Sequence, residues 1–247
     1  MKITAIKTRL IKAFDCSLED IITESIESIN ENSVIAITSK VISLCEGNVL
    51  ALEGNSKDTL IKAEADSFIP KEESKYGVYI TIKDGFLTPS AGVDESNTNG
   101  YFVMWPKNPQ KSVNRIWRFL KNQYKLQNVG VIITDSTTNP LRLGVTGRAI
   151  AHCGFKSLNS KIGEKDLFNK TLRQTRIDVA NGLAASAVIC MGESDEQTPI
   201  AVIEDIPFVE FQNHEPTPEE LAWLKIDITD DLYEPLINRA PWIHNKK

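Results

Sequence analysis

Two short, uninterrupted apolar runs constrain most strongly how this chain can fold. Residues 34–37 and residues 131–133 contain no polar side chain, which is typical of strands that are buried on both faces. Polar side chains follow each run: Thr38, Ser39 and Lys40 after the first, and Thr134, Asp135, Ser136, Thr137 and Thr138 after the second. The pattern therefore predicts polar groups at the mouths of buried strands.

A second oxygen-rich cluster follows a predicted strand over residues 78–82. It contains Asp94, Ser96 and Asn97. Like the cluster at Asp135, it lacks sulfur and histidine, and such clusters suit Mg²⁺ or Mn²⁺, which accept carboxylate, water and phosphate oxygens. Asp and Asn also serve very often as capping or turn residues, so both readings stay open on the residues alone.

Ser39 and Lys40 also allow two interpretations. Hydroxyls, backbone N–H groups at the start of a following helix and one ammonium together could hold a phosphate. A capped helix with a solvated lysine is the alternative. The chain contains neither a Gly-x4-Gly-Lys-Ser/Thr loop nor a Gly-x-Gly-x-x-Gly turn, so any nucleotide would bind outside both common frames.

The remaining pattern predicts a mixed α/β chain without repeats or a clear linker. Helices are expected from Ser17 to about residue 29, over 56–69, from Asn108 to Tyr124, over 172–191 and at 216–221. Strands are expected over 3–11, 34–37, 49–52, 78–82, 101–105, 143–153 and 199–203, with a loop over 155–170.

Length and charge exclude several classes of protein. The 247 residues suffice for one large domain or two small ones. A net charge of −5, from 28 basic and 33 acidic residues, argues against a nucleic-acid binder. The four cysteines lack paired spacing, which argues against zinc sites and disulfides and favours small buried side chains. Without a signal peptide or a long apolar run, we expect a cytoplasmic protein that binds no membrane.

Several short motifs occur together in one order along the chain. They are Thr38-Ser39-Lys40-Val41-Ile42-Ser43, Ser-Ala-Gly-Val-Asp-Glu-Ser-Asn at 90–97, Ile-Thr-Asp-Ser at 133–136, Pro-Leu-Arg-Leu-Gly-Val-Thr at 140–146 and Met191-Gly192-Glu193. This order resembles the coenzyme F420:L-glutamate ligase family over roughly residues 30 to 205.

The resemblance implies a fold and an activity. The fold would be α/β, with mixed sheets and packed helices in two intimately joined subdomains, and would be neither a Rossmann nor a P-loop fold. All 247 residues would form one such unit, working as a homodimer with active sites near the interface. The reaction would use GTP or ATP to add L-glutamate to an acceptor carboxylate through an acyl phosphate, with Mg²⁺ or Mn²⁺, two ions in all.

The resemblance also assigns residues. The metal ligands would be Asp94, Asp135, Ser136 and Glu193. The nucleotide would be held by Ser39, Lys40 and Asn97, and Arg142 would be the catalytic arginine that holds a phosphate or carboxylate group.

Four positions depart from the family pattern. Leu44 replaces a second lysine, Thr138 and Asn139 replace Gly-Arg, and Asn181 replaces an acidic residue. Because the branch thought to act in folate metabolism is also divergent, the departures favour a folate over the deazaflavin precursor of coenzyme F420 as acceptor. Two alternatives stay open, a nucleotide- and metal-binding protein without turnover and a metal-dependent phosphohydrolase.

Overall fold

The computed structural model describes residues 1–14 and 17–245 and contains both strands and helices. The strands are β1 (Lys2–Ile6), β2 (Ser33–Thr38), β3 (Val49–Ala51), β4 (Ser67–Ile69), β5 (Ile80–Lys83), β6 (Phe86–Pro89), β7 (Tyr101–Val103), β8 (Val129–Thr138), β9 (Val145–Cys153), β10 (Leu158–Ser160), β11 (Arg176–Asp178), β12 (Ile200–Glu204) and β13 (Ile243–His244). The helices are α1 (Leu18–Ser25), α2 (Ser39–Glu46), α3 (Lys57–Glu64), α4 (Pro109–Tyr124), α5 (Val179–Met191), α6 (Pro218–Ala222) and α7 (Glu234–Ile237).

A five-stranded sheet carries the two apolar runs side by side. Its order is β1-β12-β2-β8-β9. β2 and β8 run parallel, with Thr38 opposite Thr134, and the other neighbours are antiparallel. Both runs therefore end at the same edge of the sheet.

Helices cover both faces of this sheet, which is why its central strands are apolar throughout. Ile35, Ile37, Val131 and Ile133 pack with α1, α2 and α4 on one face. Val34, Ala36 and Ile132 pack with α5 on the other. The prediction of two fully buried strands is confirmed.

A second sheet, in the order β13-β4-β5-β6, lies beside a short β3–β7 pair. Its small core is built around Phe68, Tyr79, Ala91 and Phe102. The protein is thus mixed α/β with several sheets, as predicted.

Two predicted helices are wrong at one end. The helix expected over 56–69 stops at Glu64, because Ala65 is extended and β4 then pairs with β5. The helix expected from residue 172 begins only at Val179, because β11 forms a hairpin with β10 inside the predicted loop region. In both places strand pairing overrides weak helical periodicity.

Two other predicted elements are shorter than expected, and α4 agrees with its prediction. The first helix ends at Ser25 and the first strand at Ile6. α4 begins at its Asn108 cap, whose side chain accepts a hydrogen bond from the backbone N–H of Lys111.

The cysteines agree only in part with the expectation that they are buried. Cys153 is buried, Cys45 is half-buried and Cys190 is exposed. Cys16 lies outside the described residues. Within residues 1–14 and 17–245, no helix is long and apolar enough to cross a membrane.

Candidate active site

A cleft of about 950 Å³ opens where the parallel strands β2 and β8 end. Parallel strands place their following residues at one edge of the sheet, where ligands commonly bind. Segments 8–12, 88–99 and 191–199 supply most of the other walls. Seven of the eight predicted site residues line the cleft: Ser39, Lys40, Asp94, Asn97, Asp135, Ser136 and Glu193.

Asp135 is fixed at the floor of the cleft by two donors. The hydroxyl of Ser39, the first residue of α2, lies 3.2 Å from Oδ1 of Asp135, and Nε1 of Trp105 donates to Oδ2 at 2.9 Å. Burial raises the pKa of Asp135, while Arg148 and the two hydrogen bonds oppose that rise. The half-buried carboxylate is therefore held in one orientation at the wall of the cleft.

Lys40 and Asp94 form an ion pair across the cleft. Nζ of Lys40 lies 2.6 Å from Oδ2 of Asp94. Nζ also donates to the hydroxyl and the carbonyl oxygen of Ser96, at 2.9 and 3.0 Å. Burial raises the pKa of Asp94, but the hydrogen bonds from Lys40 and Ser96 outweigh it and leave the pKa at about 2.

An unusual turn leads into Asp94. Ser90, Ala91 and Gly92 all have left-handed backbone conformations, with φ of 54°, 51° and 69°. A Cβ at Gly92 would lie 2.2 Å from Nε1 of Trp105, so only glycine lets the turn approach the indole this closely. The Ser-Ala-Gly-Val-Asp motif thus positions both Asp94 and the tryptophan that binds Asp135.

The segment after α5 closes the opposite wall. Ser136 Oγ donates to the carboxylate of Glu193, at 2.8 and 2.9 Å from its two oxygens. Nδ2 of Asn97 donates to the carbonyl oxygen of Ser194 at 2.8 Å. Three of the predicted residues, Asn97, Ser136 and Glu193, thus lie along one cleft, although they are far apart in sequence.

Arg142 is not brought to the cleft. It lies in the exposed connection between β8 and β9, and its Nη1 donates to the carbonyl oxygen of the adjacent Leu141 at 2.8 Å. It is not among the residues that line the cleft, so its catalytic role stays a prediction.

The sequence did not predict a role for two residues near the site. Trp105 binds Asp135, and Arg148 lies directly across from Asp135 in the β8–β9 pair. The available signal was the alternation of β9, which places Arg148 on the face opposite to its neighbours Gly147 and Ala149.

The carboxylate and hydroxyl oxygens of the cleft would suit a hard divalent cation. Nowhere in residues 1–14 and 17–245 do three or more His, Cys, Asp or Glu side chains form a group that could hold a metal ion. Mg²⁺ seldom needs such a cage, because it usually binds one or two carboxylates, several waters and substrate phosphates. Asp94, Asp135, Ser136 and Glu193 supply oxygen ligands of this kind along one cleft.

Comparison with known proteins identifies the family of the chain. The family model described as F420-0:Gamma-glutamyl ligase matches residues 5–205. A coenzyme F420:L-glutamate ligase of Methanococcus maripaludis strain C6 is 36% identical over 195 residues, which are 72% of this chain and 78% of the relative. Proteins of the same name from Methanocaldococcus jannaschii and Methanopyrus kandleri are 34% and 32% identical, covering 73% and 76% of this chain and 79% and 81% of the relatives. The chain therefore belongs to the F420-0:gamma-glutamyl ligase family.

Proposed function

We propose that this chain is a nucleoside-triphosphate-dependent γ-glutamyl ligase, which joins L-glutamate to an acceptor carboxylate through an acyl phosphate. The observation that carries the proposal is the convergence of Lys40 and Ser39 with Asp94 and Asp135 at the edge of the sheet. One cation, one helix start and two carboxylates suit the binding of a polyphosphate together with a divalent ion.

The chemistry needs activation because a carboxylate is a poor electrophile. An oxygen of the acceptor carboxylate attacks the γ-phosphorus, so that a new P–O bond forms, the bond to the β-phosphate oxygen breaks and the nucleoside diphosphate leaves. The amine of glutamate then attacks the acyl carbon, a C–N bond forms, and inorganic phosphate leaves with the former carboxylate oxygen. The amine gives up its proton to solvent or to the departing phosphate.

The residues of the cleft serve mainly to position charge. Lys40 and the backbone at the start of α2 would hold phosphate oxygens, and Ser39 and Asn97 would support the nucleotide. Asp94, Asp135, Ser136 and Glu193 would hold Mg²⁺ or Mn²⁺, two ions in all. When bound, the ions neutralise the phosphate charge that grows during transfer.

In a homodimer, Arg142 would lie at the interface between the two copies of the chain. The neighbouring side chains Leu141 and Leu143 are 93% and 100% exposed. An apolar pair of this kind supports burial against a second copy of the chain, which would also enclose Arg142.

The acceptor is the least constrained substrate. The names of the relatives support the precursor of coenzyme F420, whereas the departures from the family pattern support a folate. Of those departures, Leu44 lines the cleft. Asn181 instead accepts a hydrogen bond from the backbone N–H of Ala149 at 2.8 Å, so this departure concerns packing of α5 on β9.

Mass spectrometry of the products tests the proposal. The purified chain is incubated with GTP or ATP, Mn²⁺ or Mg²⁺, L-glutamate, and either a folate or the deazaflavin precursor. Addition of one glutamyl residue to either acceptor, dependent on all substrates and lost in Asp135→Asn, supports the ligase and identifies the acceptor.

Two outcomes contradict it. Nucleotide hydrolysis that needs neither glutamate nor acceptor would identify a phosphohydrolase. Nucleotide binding without turnover on either acceptor would identify a binding protein of the same family.

A further inference from the structure

Arg148 is a buried arginine that the proposed chemistry has not used. It is only 9% exposed. Its Nη1 donates to the carbonyl oxygen of Leu87 at 3.0 Å, and its guanidinium carbon lies 4.8 Å from the centre of the Phe86 ring and 5.6 Å from that of Trp105. The guanidinium is therefore held in place at the junction between β9 and β6.

The other edge of the guanidinium is unused. Nε and Nη2 of Arg148 are both buried and have no hydrogen-bond partner within the described part of the chain. These two N–H groups lie on the same side of the guanidinium and form the fork that takes both oxygens of a carboxylate or phosphate. Leaving such donors buried and unpaired is unfavourable, which points to a ligand that pairs with them.

Asp135 does not fill this fork, although it is the residue opposite Arg148 in the strand pair. Its Oδ1 accepts from Ser39 and its Oδ2 accepts from Trp105. The negative charge of Asp135 lies close enough to oppose the effect of burial, which lowers the pKa of Arg148. Arg148 does not itself line the cleft, but its Nη1 donates to the carbonyl oxygen of Leu87, and the next residue, Thr88, lines the cleft.

We propose that the Nε and Nη2 groups of Arg148 bind one oxyanion of a substrate, a carboxylate or a phosphate, beside the cleft wall that contains Thr88. The inference rests on the proposed function for the choice of substrates, since L-glutamate and a nucleoside triphosphate carry one group each. Both donor atoms of the fork are buried, so binding requires rotation of the half-buried Phe86 ring or of Arg148 itself. Either movement changes the surroundings of Trp105.

The test distinguishes binding that needs the two paired donors of the fork from binding that needs only a positive charge. Arg148→Lys keeps the charge without the fork, and Arg148→Gln removes both. Arg115→Gln is the matched control, because Arg115 is paired with Glu19 and Glu46 and does not line the cleft. Circular dichroism and urea unfolding identify the variants that remain folded.

Calorimetric titrations with L-glutamate, inorganic phosphate and tripolyphosphate, each alone, give the dissociation constants. Both Arg148 variants should bind one class of anion about ten- to hundredfold more weakly than the wild type, and that class identifies the group that the fork takes. Arg115→Gln should bind all three as the wild type does.

Two results would overturn the inference. One is unchanged binding of all three anions by a folded Arg148→Gln protein, and the other is full recovery in Arg148→Lys, which would leave only a charge effect. The ligase assay is independent of these titrations. If the wild type shows ligase turnover but anion binding does not depend on Arg148, only the oxyanion site is refuted. If anion binding depends on Arg148 but the wild type shows no turnover, only the ligase is refuted.

Discussion

Nζ of Lys40 lies 2.6 Å from Oδ2 of Asp94, so the residue proposed to bind phosphate and a residue proposed to bind the metal neutralise each other. Lys40 also donates to the hydroxyl and carbonyl oxygen of Ser96. A triphosphate and a divalent cation would each have to exchange for a partner inside this pair. Their binding should therefore be coupled.

Replacing either member of the pair should have opposite effects on the two ligands. Lys40→Ala should weaken binding of the triphosphate by about ten- to hundredfold, while Mn²⁺ alone binds more tightly because Asp94 has lost its competing cation. Asp94→Asn should do the reverse, weakening Mn²⁺ and strengthening metal-free triphosphate. Calorimetry with each ligand alone measures whether the affinity for the triphosphate and the affinity for Mn²⁺ rise or fall in each variant.

The control is Lys57→Ala, because Lys57 pairs with Glu95 at 3.3 Å beside the cleft without lining it. It should change neither affinity. Leu44→Ala tests packing at the cleft wall and should leave the phosphate affinity near that of the wild type. Loss of both ligands in Lys40→Ala would contradict the exchange.

Asp135→Asn should abolish cation-supported nucleotide binding without unfolding the chain. The amide keeps the size of the carboxylate, its oxygen can accept from Trp105, and its nitrogen can donate to Ser39 Oγ. Electron paramagnetic resonance of bound Mn²⁺ measures cation binding in the presence of the nucleotide. Urea unfolding measures whether the fold is retained. Near-normal turnover of this variant at limiting Mn²⁺ would remove Asp135 from the metal site.

Gly92→Ala should destabilise the protein more than Gly85→Ala, although both positions have positive φ, 69° and 84°. An alanine Cβ meets nothing within 4 Å at Gly85 but lies 2.2 Å from Trp105 at Gly92. Strain alone should cost about 1 kcal/mol, and strain with the clash about 3 kcal/mol. Urea unfolding measures both, and a shift of Trp105 fluorescence is expected for Gly92→Ala only. Equal losses of stability would show that the indole has room to move.

Stability should fall as the pH decreases, through His152. Burial lowers the pKa of His152 to about 4 from an ordinary value of 6.5, although Glu220 and Asp178 act in the opposite direction. The unfolded chain therefore binds the proton more readily between these values, and the stabilisation present above pH 6.5 is lost as the pH falls toward 4.

His152→Gln should remove this dependence. Between about pH 7 and pH 5, the wild type should lose about 2 kcal/mol more unfolding free energy than the variant. Urea titrations at several pH values measure the difference. Parallel curves for the two proteins would show that His152 titrates in the folded state as it does in the unfolded chain.

The sequence predicted the parts of the fold where local pattern and tertiary packing agree. The apolar runs in β2 and β8 and the capped, periodic helix α4 are of this kind. It failed at β4 and β11, where three residues pair at the end of a weakly helical stretch. Pairing partners distant in sequence leave no local periodicity.

The candidate site followed the same division. The positions of Ser39 and Asp135 in the cleft could be predicted because each follows a recognisable apolar run, and the resemblance pointed to Glu193. Trp105 and Arg148 could not, since their roles depend on the side chains that face them across the fold. Nothing in the residues around Arg142 indicated that it would lie outside the cleft.

The position of β12 between β1 and β2 has a consequence for synthesis on the ribosome. Within residues 1–14 and 17–245, the first strand of the chain joins the sheet only through β12, with Ile3 opposite Ile203. Until residues 197–204 have left the ribosome, β1 has no strand to pair with, and the backbone N–H of Thr8 lacks the carbonyl oxygen of Gln197 that accepts its hydrogen bond. Because such pairings between distant residues form slowly, the nascent chain should reach its binding-competent form only after translation has passed β12.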